Sequence, residues 1–257
     1  MTKRLIFIAG VEGSGTTALL RILSAPPACA SLGGNFLRLP EHPDARRLAK
    51  AFGAANQAQW DRTNDLAAQM TAPPAAAACL REIAQSAAFE AATHLLLKRS
   101  SPFGKPRDRF TPDLWDVLDL TEDARIVICY RDPRAAAYSA LRRFGGDLRQ
   151  VALATADHLT FLAAQAQAIG AGRVHVLSYR TLCDRPEAAL APLAHFCELP
   201  LGALCEAERA ARPQPPADDG RYRTELAREE CRWLDAFFDD RRRAQWPLFE
   251  AAAAPLP

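Results

Sequence analysis

The chain has 257 residues, 49% of them hydrophobic, which is enough to bury the core of one large α/β domain or two small ones. Its 32 Lys and Arg residues nearly balance its 30 Asp and Glu residues, and a net charge of +2 excludes nonspecific nucleic-acid binding through overall charge. No segment approaches the roughly 18 uninterrupted apolar residues of a membrane span. The seven cysteines form no C-x-x-C pair, so they indicate reduced, buried thiols and a cytoplasmic location.

The first predicted unit is a strand, a glycine-rich loop and a helix. The apolar residues 5–9 predict the strand, and the periodic apolar residues that continue to Leu23 predict the helix. Gly10 and Gly15 stand as the outer glycines of a P-loop, G-x-x-x-x-G-K-S/T, and Thr17 fills its final hydroxyl position. The loop therefore predicts a cradle of backbone N–H groups for a phosphate or sulfate.

Thr16 stands at the position where a P-loop that binds nucleoside triphosphates has its lysine. That lysine reaches the β and γ phosphates, so its absence disfavours a triphosphate and favours a donor with a compact 5′ anionic group. A strand-to-helix turn whose small residues serve only packing is the alternative explanation.

Strands and helices alternate along the rest of the chain. The predicted strands after the first are residues 29–34, 93–98, 125–130 and 173–177. A helical insertion is predicted at about residues 41–92, a basic loop at 98–102 and a frayed tail at 251–257. This order predicts a single domain over residues 1–257 with a three-layer α/β fold, in which helices flank a central parallel sheet.

Ligands of parallel sheets bind at the carboxyl ends of the strands. The glycine loop, Lys98, Arg131 and Tyr179 each follow or end a different predicted strand. We therefore expect them to meet at one edge of the sheet.

Arg131 and Ser139 predict a second anion site. Asp132 suits the N-cap of the following helix and Pro133 its first turn, and Ser139 lies about two turns further on the same face. An arginine and a hydroxyl aimed together can hold a second phosphate. A solvated helix start, with Ser139 bonding its own helix backbone, is the alternative.

Two anion sites on one α/β sheet, one of them without the P-loop lysine, resemble the sulfotransferase family. Residues 13–17 resemble its 5′-phosphosulfate loop, Tyr130 through Ser139 its 3′-phosphate motif, and residues 179–187 the tyrosine-plus-helix segment after the next strand. The three matches follow the family's order over about residues 5–200. The resemblance implies a P-loop-like sulfotransferase domain that passes the sulfuryl group of 3′-phosphoadenosine 5′-phosphosulfate (PAPS) to a hydroxyl or amine.

The resemblance assigns donor-binding residues one by one. Gly13, Ser14, Gly15, Thr16 and Thr17 would bind the 5′-phosphosulfate, Arg131 and Ser139 the 3′-phosphate, and Tyr179 would lie beside the adenosine. Arg221 and Arg223 occupy a place like the late basic loop that closes over the 3′-phosphate in many members, and a solvated basic loop is an equal alternative. The implied product is 3′-phosphoadenosine 5′-phosphate (PAP), the implied acceptor is a small molecule or carbohydrate, and no metal is implied.

The catalytic residues depart from the family pattern. Many members have Lys or Arg directly before Ser-Gly-Thr-Thr, where this chain has Gly13, so Lys98 is the predicted source of charge for the bridging oxygen. No histidine base follows Lys98, and Asn35 stands where other members place a catalytic glutamate. Glu12, on the loop itself, is the first candidate for the base, and His42 is the second.

Two other functions remain open at this point. A P-loop phosphotransferase (kinase) using ATP would share the loop and the sheet order, although Thr16 and the lack of a magnesium carboxylate motif speak against it. A non-catalytic nucleotide-binding module is favoured by the missing histidine and glutamate. The sequence indicates no particular oligomeric state.

Overall fold

A computed structural model describes residues 3–32, 39–62, 75–101, 113–211 and 219–253 of the chain. Within these ranges five strands form one sheet in the order β2-β3-β1-β4-β5, and every neighbouring pair is parallel. The strands are β1 (Arg4–Val11), β2 (Cys29–Ser31), β3 (His94–Ser101), β4 (Ala124–Tyr130) and β5 (Val174–Ser178). The predicted α/β class with a central parallel sheet is confirmed.

Helices cover both faces of the sheet. They are α1 (Thr16–Leu23), α2 (Pro43–Arg62), α3 (Ala75–Gln85), α4 (Leu114–Leu118), α5 (Pro133–Phe144), α6 (Leu148–Ile169), α7 (Tyr179–Asp184), α8 (Pro186–Cys197), α9 (Leu201–Ala211), α10 (Tyr222–Glu225), α11 (Arg228–Gln245) and α12 (Pro247–Ala253). One buried cluster joins α1, α7, α8 and α9 to the sheet, and a second joins α2 to α6 and α10 to α12 to its other face. None of the helices in the described ranges is long and apolar enough to cross a membrane.

Residues 98–101 belong to β3, so the prediction of a loop beginning at Lys98 was wrong. β3 pairs with β1 up to the last residue of both strands, with Lys98 opposite Ile8 and Ser100 opposite Gly10. β2 pairs with β3 only up to Leu96, so the polar end of β3 continues the ladder on β1 alone, and Ser100 there is buried. Charged and hydroxyl residues, which usually indicate a loop, here end a central strand.

Helices α2 and α3 connect β2 to β3, where the helical insertion was predicted. At the other end of the chain α12 continues to Ala253, so residues 251–253 of the predicted frayed tail are helical, and residues 254–257 lie outside the described residues. Asn35 and the two glycines before it also lie outside them. The single domain over the whole chain stays a prediction.

Candidate functional site

The glycine loop lies at the carboxyl end of β1, at the centre of the sheet. Gly13 and Gly15 have φ angles of 82° and 95°, in the left-handed region that glycine adopts without strain. Two hydrogen bonds hold the loop in place. The N–H of Ser14 donates to the carbonyl of Val11 at 3.1 Å, and the Cys129 thiol of β4 donates to the carbonyl of Ser14 at 3.0 Å. Burial raises the pKa of Cys129 to about 12, so this thiol stays protonated as a donor.

Helix α1 begins directly after the loop and offers free donors to it. The N–H of Leu19 donates to the carbonyl of Gly15 at 3.1 Å, so the N–H groups of Thr16 and Thr17 lie in the first turn, where no preceding turn can accept their bonds. The Oγ atom of Ser14 is buried without a hydrogen-bond partner in the described part of the chain. Unsatisfied donors around a helix N-terminus fit an anion.

Helix α5 packs so closely on the loop that only glycine fits at position 13. A Cβ atom on Gly13 would lie 2.5 Å from the carbonyl oxygen of Ala136 and 2.9 Å from the Cβ of Ser139. This contact brings Ser139 to the loop. It also explains why a residue with a cation cannot stand directly before Ser14 in this chain.

Arg131 reaches the same glycine from the end of β4. Its Nη1 donates to the carbonyl of Gly13 at 3.0 Å, and its Nε donates to Oδ1 of Asp219 at 2.7 Å. Arg131 and Ser139 therefore both lie against Gly13, while a phosphate pocket shared by the two stays a prediction. The start of α5 is held as predicted, with Asp132 accepting from the N–H of Arg134 at 2.9 Å and Pro133 as the first helical residue.

Tyr179 covers the other side of the loop. It is the first residue of α7, and a Cβ atom on Gly15 would lie 2.2 Å from its ring. The Arg131 guanidinium carbon lies 5.5 Å from the centre of that ring, within the range of a cation–π interaction. Burial raises the pKa of Tyr179 to about 12, which keeps its hydroxyl neutral.

Lys98 and Glu12 are charged groups at the same edge of the sheet. Burial lowers the pKa of Lys98 below its ordinary value of 10.5, while the charge of Glu12 acts in the opposite direction. Glu12 is only 4% exposed, and its Oε2 lies 3.9 Å from Nη1 of Arg143. The buried carboxylate of Glu12 is thus near the Arg143 guanidinium and close enough to Lys98 to affect its pKa.

His42 is not part of this cluster. It lines a cavity of about 820 Å³ together with Cys29, Ala91 and Ala92, which lie at the amino ends of β2 and β3. The glycine loop lies at the other end of the sheet, where the strands have their carboxyl ends. Nδ1 of His42 accepts a hydrogen bond from the N–H of Asp44 at 3.2 Å, as expected of a residue that precedes α2.

Arg221 and Arg223 are held by carboxylates in this structure. Arg221 pairs with Glu225, which also accepts from Tyr138, and these hydrogen bonds lower the pKa of Glu225 to about 2. Arg223 pairs with Asp235 at 2.8 Å. Both arginines are more than half exposed.

Asp219 and Arg143 are two residues of this edge that sequence reasoning missed. Arg143 lies four residues after Ser139 on α5, so helical periodicity could have placed it on the loop face. Asp219 carries no local signal, because its contact with Arg131 joins residues 88 positions apart. Among the described residues no group of three or more His, Cys, Asp or Glu could hold a metal ion.

The all-parallel sheet with a glycine loop after its central strand defines a P-loop-like α/β protein. A model described as the sulfotransferase family matches residues 5–202, and the chain belongs to that family. No curated protein matches the sequence.

Three solved structures show the same fold. The sulfotransferase domain of the olefin synthase of Synechococcus PCC 7002 has a TM-score of 0.51 at 18% identity, covering 100% of this chain and 98% of that one. Mouse sulfotransferase SULT7A1 complexed with PAP has a TM-score of 0.57 at 9% identity, covering 98% and 89%. A retinol dehydratase in complex with retinol and PAP has a TM-score of 0.52 at 12% identity, covering 100% and 84%.

Proposed function

We propose that the chain is an enzyme that transfers the sulfuryl group of PAPS to a hydroxyl or amine of a small-molecule or carbohydrate acceptor. The observation that carries this proposal is the shared contact of Arg131 and Ser139 with Gly13. It joins a glycine loop suited to a 5′ anion with an arginine and a hydroxyl suited to a second phosphate. Two of the solved structures with this fold hold PAP.

The loop residues are suited to the 5′-phosphosulfate. The N–H groups of residues 14–17 and the buried hydroxyl of Ser14 would donate to its oxygens, with the N-terminus of α1 adding partial positive charge. Arg131 and Ser139 would hold the 3′-phosphate, and Tyr179 would lie against the adenosine.

Lys98 and Glu12 are proposed as the catalytic residues. PAPS supplies an activated sulfuryl group when bound. Glu12 would accept the proton of the acceptor hydroxyl as its oxygen bonds to sulfur, and Lys98 would stabilise the charge on the phosphate oxygen whose bond to sulfur breaks. Gly13 leaves no room for a cation on the loop, which gives Lys98 this role.

A small organic acceptor is supported by the retinol dehydratase structure, which holds retinol. A cytoplasmic location is part of the same proposal. It is supported by the cysteines, because none of the seven forms a disulfide bond, as is typical of a reducing compartment.

The experiment measures thermal unfolding of the purified chain with PAPS and, separately, with Mg-ATP. Only PAPS is expected to raise the unfolding temperature, because only the bound donor stabilises the folded state. Stabilisation by Mg-ATP alone would instead support a kinase. PAP release on addition of a panel of phenols, sugars and amines then separates an enzyme from a non-catalytic nucleotide-binding module.

A further inference from the structure

Arg131, the residue assigned to the 3′-phosphate, is already paired with a carboxylate. Its Nε donates to Oδ1 of Asp219 at 2.7 Å, and the two side chains are only 14% and 18% exposed. Asp219 lies three residues before α10, in the part of the chain that follows the family match. A negative charge of the protein thus lies where the donor's own negative charge is proposed to bind.

Asp219 is not needed to hold the guanidinium in place. Nη1 of Arg131 is fixed by the carbonyl of Gly13, and the guanidinium lies over the ring of Tyr179. These two contacts define its position from the loop and from α7. The bond to Asp219 therefore neutralises the charge of Arg131, whose position the other two contacts already define.

We propose that Asp219 is a specificity-determining residue that neutralises Arg131 in the free protein and is exchanged for the 3′-phosphate when the donor binds. This inference rests on the proposed function. The exchange favours a doubly charged phosphate, because such a group pairs with the guanidinium more strongly than one carboxylate does. A nucleotide without a 3′-phosphate gains nothing there and leaves the Arg131–Asp219 pair intact.

A parallel arrangement supports the exchange. Arg221, two residues after Asp219, is also held by a carboxylate, that of Glu225. Two of the three arginines that the resemblance assigns to the 3′-phosphate, Arg131 and Arg221, are therefore paired with carboxylates of residues 219–225.

The test is isothermal titration calorimetry of PAP and of adenosine 5′-monophosphate (AMP), which lacks the 3′-phosphate. Asp219→Asn is expected to bind PAP about tenfold more tightly than the unaltered chain, because a competing charge-assisted pair is lost. AMP affinity is expected to change less than twofold, since AMP does not reach Arg131 in this account. Asp240→Asn, which removes the same charge from an exposed position on α11, is the matched control.

A double-mutant cycle tests whether Asp219 acts through Arg131. In the Arg131→Ala background, Asp219→Asn is expected to leave the ratio of PAP to AMP affinity unchanged. Thermal unfolding checks that each variant folds, and Asp219→Ser serves as a second variant.

Unchanged or weaker PAP binding by folded Asp219→Asn and Asp219→Ser would overturn the exchange while leaving the proposed function standing. If the unaltered chain itself binds PAP no more tightly than AMP, the assignment of the 3′-phosphate fails, and the exchange with it.

Discussion

Arg131 donates a hydrogen bond from Nη1 to the carbonyl oxygen of Gly13 at 3.0 Å, so the residue after β4 is fixed to the turn after β1. These are neighbouring strands in the sheet, and their carboxyl ends are adjacent. The contact brings the glycine loop and the motif that begins at Arg131 together on one surface. The proposed function depends on that surface binding both ends of one adenosine nucleotide.

Gly13→Ala is expected to destabilise the fold by about 2 to 3 kcal/mol, because its Cβ atom would overlap α5 and the alanine would have to adopt a left-handed backbone conformation. The Cβ atom would lie 2.5 Å from the Ala136 carbonyl oxygen, and the φ angle at this position is 82°. Urea unfolding measures the free energy. PAP affinity is expected to fall as well, since α5 must move away from the loop.

Gly53→Ala is the control for this change, because a Cβ atom there meets nothing within 4 Å and lies on helix α2. It is expected to be neutral or slightly stabilising. Equal stability of Gly13→Ala and Gly53→Ala would show that the contact between the loop and α5 is not tight.

Lys98→Ala is expected to lower kcat by about 100-fold, as for loss of one electrostatic contact to the transition state, with a smaller effect on PAP affinity. In the unaltered chain burial lowers the pKa of Lys98 from 10.5, so its ammonium loses its proton at a lower pH than an ordinary lysine does. The rate of the unaltered chain is therefore expected to fall at alkaline pH with a midpoint below 10.5.

Lys98→Arg keeps a positive charge at this position but removes the group that titrates, because arginine keeps its proton throughout the measured range. The rate of this variant is therefore expected not to fall at alkaline pH. Equal losses of kcat and PAP affinity in Lys98→Ala would assign Lys98 to donor binding alone.

Glu12→Gln is expected to lower kcat by about 100-fold or more while PAP affinity changes little, since a general base acts on the acceptor. Steady-state kinetics with any active acceptor measures this split. Glu206→Gln, at an exposed position on α9, is the matched control and should keep full activity. Full activity of Glu12→Gln together with loss in His42→Gln would contradict the assignment of the base.

Arg134→Ala is expected to destabilise the chain by about 2 to 3 kcal/mol at neutral pH, because Asp132 is left with fewer partners near the buried end of β4. Arg134 donates to Asp132 at 2.6 Å and also contacts Asp239 at 3.0 Å. Burial acts to raise the pKa of Asp132, but hydrogen bonds and charge from Arg134, with the charge of Arg242, hold it below 3.8.

A carboxylate with a lowered pKa stabilises the fold above its unfolded pKa, and this stabilisation is lost as the pH falls through the folded pKa. The difference between the unaltered chain and Arg134→Ala is therefore expected to shrink as the pH falls below 3.8. A difference that stays constant down to the acid transition would contradict the role of this pair.

The sequence predicted what depends on local patterns. The strand before Gly10, the cap at Asp132 and the proline at the first turn of α5 each follow from neighbouring residues, and the structure has all three. The rule that parallel strands end together predicted that Arg131 and the glycine loop would meet, whereas the packing of Ser139 on Gly13 is seen only in the structure.

Contacts across the chain could not be predicted in this way. The predicted strand ended at Lys98, because charged and hydroxyl residues follow it, and only the pairing of residues 99–101 with β1 shows that β3 continues. The pairing of Arg131 with Asp219, and the location of His42 at the opposite sheet edge, depend on how distant segments pack.

The most direct test of the central claim is the dissociation constant of PAP for the unaltered chain and for Arg131→Ala. Arg131→Ala is expected to lose about 1.5 to 3 kcal/mol of PAP binding, the value of a charge-assisted bond, and to lose nothing for AMP. Equal PAP affinity of the two proteins would contradict the placement of the 3′-phosphate at Arg131.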